Sequence, residues 1–271
     1  HFFELMGGFS YNRDQLNTVG GSAYGGPTNQ IHYVGEEWPS LRQDEYGTYE
    51  ALQTYNSNQE VQEMMSLFGR LAYNYKHKYL AEFSLRSDGS SVFGSDVRWG
   101  TFPAVGLGWT FSDEPFMKNL WWLSFGKFRA SWGRSGQKFN EAYLALGTMS
   151  TSNTFLGNSG LIPGLLANNQ LTWEKNDQYD LGLDLQLFNY RLQVKLDYYY
   201  KYSHALLMQT STPGNFFLAD KMWNNSSAIS NEGIEFEISA DIIKRKNWQW
   251  TLGFNISHDR NLFRKSYGSE D

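Results

Sequence analysis

The chain has 271 residues, 17% of them aromatic, with 26 Gly, no Cys and a formal net charge of -5. The acidic balance argues against a nucleic-acid footprint, and without cysteine there is neither a disulfide framework nor thiolate chemistry. No apolar run reaches the about 18 residues of a transmembrane helix, yet a mean hydropathy of -0.53 does not exclude a membrane barrel, whose strands show lipid only every second side chain.

The chain opens HFFELMGGFSY, with neither an initiator Met nor a basic segment followed by an apolar one. That reads as a piece of something longer, or a mature product whose front end is missing. Phe3, Leu5, Gly7, Phe9 and Tyr11 alternate with Glu4, Met6, Gly8 and Ser10, which predicts a first strand over residues 1–13. A long polar link over 14–59 follows, with GGSAYGG at 20–26 and EEW at 36–38. Links of this length are uncommon in compact soluble domains and are usually functional.

The second strand is expected over 61–76, with Leu67, Gly69, Leu71, Tyr73 and Tyr75 opposite Phe68, Arg70, Ala72 and Asn74. After the short link 76–78, Tyr79, Ala81, Phe83 and Leu85 oppose Glu82, Ser84 and Arg86. A polar Gly/Ser/Asp loop over 88–98 leads to Val105, Leu107, Trp109 and Phe111, opposite Ala104, Gly106, Gly108 and Thr110. In SDEPFMKN (112–119), Pro115 suits the first turn of a short helix. A strand over 123–134 precedes a second long link, 135–170.

Leu181, Leu183, Leu185 and Leu187 then face away from Gly182, Asp184 and Gln186, with a short turn at 188–190. The clearest strand follows: Leu192, Val194, Leu196, Tyr198, Tyr200 and Tyr202 oppose Arg191, Gln193, Lys195, Asp197, Tyr199 and Lys201. Beyond a link over 209–226 that carries Pro213-Gly214, Ile234, Phe236, Ile238, Ala240 and Ile242 oppose Glu235, Glu237, Ser239 and Asp241. A turn at 244–247 leads to Trp248, Trp250, Leu252, Phe254 and Ile256, opposite Gln249, Thr251, Gly253, Asn255 and Ser257.

The predicted fold class is all-β, a transmembrane antiparallel β-barrel of which this chain supplies about nine strands. Many strands reach the about 9–11 residues a bilayer demands, against the five to six of soluble proteins. Short turns sort to one end, the periplasmic one, and long extracellular loops to the other. Trp99, Trp109, Trp121, Trp122, Trp248 and Trp250 suit interfacial girdles. Glu235, Glu237, Lys195 and Asp197 would face a wet lumen. About nine strands cannot close a bacterial barrel, where numbers are even, and an open edge in lipid strands backbone groups. The expectation is a portion of a larger barrel.

The series LFGRLAYNYKHKYL (67–80), LRSDGSSVFG (85–94), RWGTFPAVGLGW (98–109), DEPFMKN (113–119) and FRASWGRSGQ (128–137) has a family look. It continues in LTWEKNDQYDLGLDLQLFNYRLQVKLDYYYKYSHALL (171–207), SNEGIEFEISADI (230–242) and WTLGFNISHDRN (250–261). In order and spacing it resembles the barrel of SusC/RagA-type TonB-dependent outer-membrane transporters of Bacteroidetes. The resemblance implies a barrel of about 22 strands, an N-terminal plug, a segment that contacts the TonB complex, a SusD-like lipoprotein lid, and import of oligosaccharide or peptide. On that pattern residues 1–271 are part of one barrel domain, with the plug, the TonB-contacting segment and the final strands absent. Two further readings stay open: a soluble β-rich carbohydrate-binding or adhesion module, and a scaffold component of a larger outer-membrane complex.

Chemistry-bearing residues are sparse. The run Arg86 to Ser91 could hold a cation, but its spacing is not that of an EF-hand loop, and a polar turn explains it. Glu36 and Glu37 could pair for glycoside hydrolysis, yet adjacent carboxylates of a strand point to opposite faces. The five His residues are scattered without metal-ligand spacing. No catalytic, cofactor or metal site is expected, and no enzyme activity. Ligand or lid contact is expected from long-loop aromatics: Trp38, Tyr46, Tyr49, Phe139, Tyr143, Phe216, Phe217 and Trp223. Their faces suit sugar rings and peptide side chains equally, and loop packing is the plain alternative for each. Tyr198 and Tyr200 point outward and are assigned to the membrane interface.

Overall fold

The computed structural model describes residues 1–23, 41–43, 49–51, 53–155, 158–212 and 221–266, with side chains described over 1–23, 54–149, 164–212 and 221–266. In chain order its strands begin β1 (Phe2–Ala23), β2 (Leu41–Gln43), β3 (Tyr49–Ala51), β4 (Gln53–Tyr75), β5 (Tyr79–Ser90), β6 (Trp99–Trp109) and β7 (Leu123–Gln137). They continue β8 (Thr148–Phe155), β9 (Asn158–Leu165), β10 (Glu174–Leu187), β11 (Leu192–Ser211), β12 (Lys221–Arg245) and β13 (Trp248–Lys265). Among the described residues nine of them form one sheet in the order β1-β4-β5-β6-β7-β10-β11-β12-β13, while β2–β3 and β8–β9 are separate hairpins. The expected nine long strands are therefore present.

The chain divides into two units, one of 1–12 with 64–271 and one of 13–63. The smaller unit holds the polar outer parts of β1 and β4 and the β2–β3 hairpin. Within it Ser22 and Thr54 share a hydroxyl hydrogen bond at 2.6 Å, and Arg13 approaches Glu63 at 3.6 Å. The rest of the description concerns the larger unit.

Three expectations are corrected. The link over 14–59 is shorter than read, because β1 runs to Ala23 and β4 starts at Gln53. The links 135–170 and 209–226 also lose residues to strands: β8 and β9 lie inside the first, and β11 and β12 extend into the second. Apolar alternation ends where lipid would end, but ladder hydrogen bonding needs no apolar side chains and continues. The short helix at Pro115 is absent. A 3₁₀ turn occupies Phe111–Asp113, and successive turns follow, Met117 N–H to Glu114 O and Leu120 N–H to Met117 O, both at 3.0 Å.

The register shows how the two faces differ. One row of paired residues runs Tyr75, Tyr79, Trp109, Phe128, Leu183, Leu196, Phe236, Ile256 across β4 to β13. The next row on that face, toward the long links, runs Tyr73, Ala81, Leu107, Ala130, Leu181, Tyr198, Ile234, His258. The row beyond it runs Leu71, Phe83, Val105, Trp132, Tyr179, Tyr200, Glu232, Arg260. This face is exposed: Leu107 is 58% accessible and Phe254 58%. In water each such side chain would forgo about 1.5–3 kcal/mol of burial, so the face is built for lipid.

The rows also change along their length. The first starts aromatic and ends aliphatic; the third starts aliphatic, turns aromatic and ends charged. Strands tilted by about 35–45° and spaced about 4.8 Å raise a ladder row by about 3 Å per strand along the membrane normal. Seven steps raise it by about 20 Å, enough to carry one row from the inner interface into the hydrocarbon and another from the hydrocarbon to the outer interface.

Candidate functional site

The opposite face carries small and polar side chains. Facing residues include Glu82, Gly106, Ser131, Asp180, Tyr199, Gly233 and Asp259 in one row and Gly108, Arg129, Gly182, Asp197 and Glu235 in the next. The β5 to β10 members of these rows, Glu82, Gly106, Gly108, Arg129, Ser131, Asp180 and Gly182, help line an open hollow of ≈ 840 Å³. This is the lumen side of the sheet.

Its charges are paired strand to strand. Arg70 clamps Glu82 with two bonds of 2.7 Å. Arg129 clamps Asp184 at 2.8 and 3.0 Å and reaches across β10 to Asp197 at 2.8 Å. The crossing is possible because Gly182 lies between: a Cβ there would come within 2.6 Å of both Arg129 Nη2 and Asp197 Oδ1. Gly233 serves the same purpose in β12, where the Tyr199 hydroxyl donates to Asp259 at 2.5 Å. Lys195 meets Glu237 at 3.2 Å. Lys195, Asp197, Glu235 and Glu237 thus stand on the wet face, as expected from alternation. The Arg70 and Arg129 clamps were not visible in the sequence, since pairing register fixes them and alternation alone does not give register.

At the long-link end a packed cluster closes over this face. Val92 and Phe93 are 2% exposed, Phe102 6% and Trp173 2%, with Met64 and Phe139 packed against them. The Phe93 and Trp173 rings stand 4.4 Å apart, and the Trp173 indole donates to the Arg98 carbonyl at 3.0 Å. Gly94 donates its N–H to Leu171 O at 3.0 Å. A Cβ on Gly94 would overlap the Asn169 carbonyl, so glycine alone fits there. Asn225 ties the same region to β12, accepting from Thr172 N–H at 2.8 Å and donating to Thr172 O at 2.9 Å. The 88–98 stretch is therefore part strand and part packed wall. Asp88, 5% exposed, is occupied by the Arg86 guanidinium at 2.8 Å, and Arg86 also donates to Ser66. In the structure this carboxylate is thus engaged by an arginine of its own strand.

The expected contact residues fall in different places. Phe139 stands edge-on to Phe93 at 5.0 Å, in the packed cluster. Tyr143 is 45% exposed at φ 67°, just before a 3₁₀ turn at Leu144–Leu146. Trp223 is half-buried in β12, and its carbonyl accepts from Asn168. Tyr49 is described through its backbone in β3 alone, and Trp38, Tyr46, Phe216 and Phe217 lie outside the described residues, as do Glu36, Glu37 and His32.

At the short-turn end Glu114, 9% exposed, gathers donors from the inner aromatic row. The Tyr79 hydroxyl donates at 2.7 Å, Lys78 at 3.4 Å and the Trp109 indole at 3.5 Å. The Tyr79 bond, with help from Trp109 and Lys78 and against the pull of burial, holds this carboxyl below the ordinary carboxylate range.

A sheet with one lipid face, one ion-paired wet face and aromatic rows at both interfaces is the wall of an outer-membrane barrel. The sequence pattern described as "TonB dependent receptor-like, beta-barrel" matches residues 3–270. The chain belongs to the TonB-dependent receptor-like β-barrel family. Among members of known sequence, TonB-dependent receptor P39 of Formosa agariphila is 35% identical over 78% of this chain and 20% of its own length. TonB-dependent receptor SusC of Bacteroides thetaiotaomicron is 33% identical over 91% of this chain and 26% of its own length. The RagAB peptide importer in its open-open state superposes with a TM-score of 0.83 at 22% identity, over 99% of this chain and 28% of that one, a likeness of fold. The chain thus spans about a quarter of the length of the relatives it matches, and its nine strands are part of a larger outer-membrane barrel. The family is one of receptors and transporters rather than enzymes.

Proposed function

We propose that this chain is barrel wall in an energy-coupled outer-membrane importer that takes up oligosaccharide or peptide with a SusD-like surface lipoprotein as lid. On this reading residues 1–271 belong to one barrel domain, and the plug and the segment that meets the TonB complex lie elsewhere in the whole protein. The observation that carries the proposal is the face segregation: a continuous apolar ladder backs a hydrated wall whose charges are clamped in pairs. A wall of this kind presents donors and acceptors to a passing polar solute without one dominant charge to trap it. The relatedness to SusC supports the class of transporter.

The lid's contacts are proposed on the long links, with Trp38, Tyr46, Tyr49, Tyr143, Phe216, Phe217 and Trp223 as the aromatic candidates. Phe139 supports them from the packed cluster. The test is purification of the full-length protein from its own membranes in mild detergent, paired with uptake assays in a strain lacking it. A stoichiometric lipoprotein should copurify, and uptake of labelled oligosaccharide or peptide should vanish both in that strain and when the TonB complex is disabled. A bare barrel together with undiminished uptake would contradict the proposal.

A further inference from the structure

Charged side chains also stand on the lipid face, one row above the outer aromatics. Arg134 faces Asp177 and clamps it at 2.7 and 2.9 Å, and His204 Nε2 meets the same carboxylate at 3.1 Å. Lys175 stands opposite His204, and among the described residues no carboxylate lies within ion-pair reach of it. In the neighbouring strands Arg260 approaches Glu232 at 3.6 Å, and Arg264 donates to Ser230 at 2.8 Å. The patch therefore holds four cations against two carboxylates, in a chain whose net charge is -5.

Its height is fixed by β10. Asp177 lies ten residues along that strand from Leu187, about 34 Å at 3.4 Å per residue, or about 26 Å along the membrane normal at a tilt of about 40°. The apolar band of such barrels is about 25 Å tall, which puts Asp177 at its outer boundary and Lys175 just beyond. Trp132, Tyr179 and Tyr200 form the row immediately beneath, with the Trp132 and Tyr179 rings 6.5 Å apart and those of Tyr179 and Tyr200 6.4 Å apart. The patch is continuous with the lipid-facing belt, and groups at that depth are phosphorylated headgroups.

We propose that Lys175 and Arg134 hold a phosphate of an outer-leaflet lipid headgroup. Asp177, itself met by His204, engages Nε and Nη2 of the Arg134 guanidinium and so holds the group in one orientation with Nη1 outside that clamp, and the Lys175 ammonium supplies a second, mobile charge. The site rests on the assignment of the two faces, not on the cargo or the lid.

The test is native mass spectrometry of the full-length protein in detergent. It is titrated with diphosphoryl lipid A, with the same lipid stripped of its phosphates, and with inorganic phosphate. Wild type should retain the diphosphoryl form alone. Lys175→Gln should lower its affinity about fivefold and the double variant with Arg134→Gln further, at about one such factor per cation. Lys201→Gln, which removes a cation from the wet face, should bind as wild type does. Lys175 has no ion-pair partner among the described residues, so this variant should keep the heat-modifiable gel mobility of a folded barrel. Equal binding of the dephosphorylated lipid, wild-type affinity in folded Lys175→Gln, or displacement of the lipid by inorganic phosphate would overturn the proposal.

Discussion

Gly182 works by what it lacks. Its missing side chain leaves the passage through which Arg129 crosses β10 to Asp197. In Gly182→Ala the guanidinium, at the end of a flexible stem, swings aside and keeps Asp184 while it loses Asp197. The groups are part-exposed, so the cost should be about 1 kcal/mol, read from thermal unfolding in detergent. Gly94→Ala should cost more, about 2–3 kcal/mol by the same measurement, because its neighbour is the Asn169 backbone, which cannot swing away. Glycines in alternating strands were evident in the sequence; which of them make room for a crossing side chain was not, because that depends on register. Glu114 was hidden for a similar reason, since its shortest bond comes from Tyr79 at the start of β5, 35 residues away in sequence, although the Trp109 donor is only five residues away. Its carboxyl lies below the ordinary range when folded, so its stabilising bonds are present above about pH 4.3 and are lost as pH falls through the lowered value. Glu114→Gln should be less stable than wild type at neutral pH, and the gap should close in acid when unfolding is followed by tryptophan fluorescence.

At the scale of the element, the β4–β5 connection shows how little sequence a hairpin needs. Lys76 and His77 both have positive φ, 51° and 58°, and Lys78 N–H returns to Tyr75 O at 3.0 Å. The connection is three residues long, 76–78, and its two left-handed central residues give the turn a twist that matches paired strands, here without the Asn-Gly that usually marks it. Asn74 compensates by accepting the His77 N–H at 2.9 Å. A β-branched residue cannot tolerate the left-handed region, so His77→Val should destabilise the hairpin by about 1–2 kcal/mol, measured as a lower unfolding midpoint. The sequence located this turn correctly because apolar alternation stops and restarts with one residue to spare. It misplaced the outer ends of β1, β4, β11 and β12 because alternation fades outside lipid while pairing goes on. It mistook Pro115 for a helix start because proline fixes φ equally well in a chain of tight turns.

At the scale of the molecule, fold class, strand count and the sense of both faces were legible, since period two survives wherever one face meets lipid. The tilt was not, because it appears in the drift of aromatic residues along paired rows, and pairing must be known first. Nor was the charged patch over Trp132 and Tyr179, since Arg134, Asp177 and His204 stand on three strands that fold alone brings together. The central claim is that alternate residues of one sheet meet lipid and water. These 271 residues hold no native cysteine, so once any cysteine outside them is replaced, single cysteines can be spin-labelled along one row of each face in the full-length protein in bilayers. Labels at Leu183, Leu196, Phe236 and Ile256 should collide with dissolved oxygen and be shielded from a water-soluble nickel chelate, and labels at Asp184, Lys195, Glu237 and Asn255 should show the reverse. Equal access of the chelate to both sets would contradict the account.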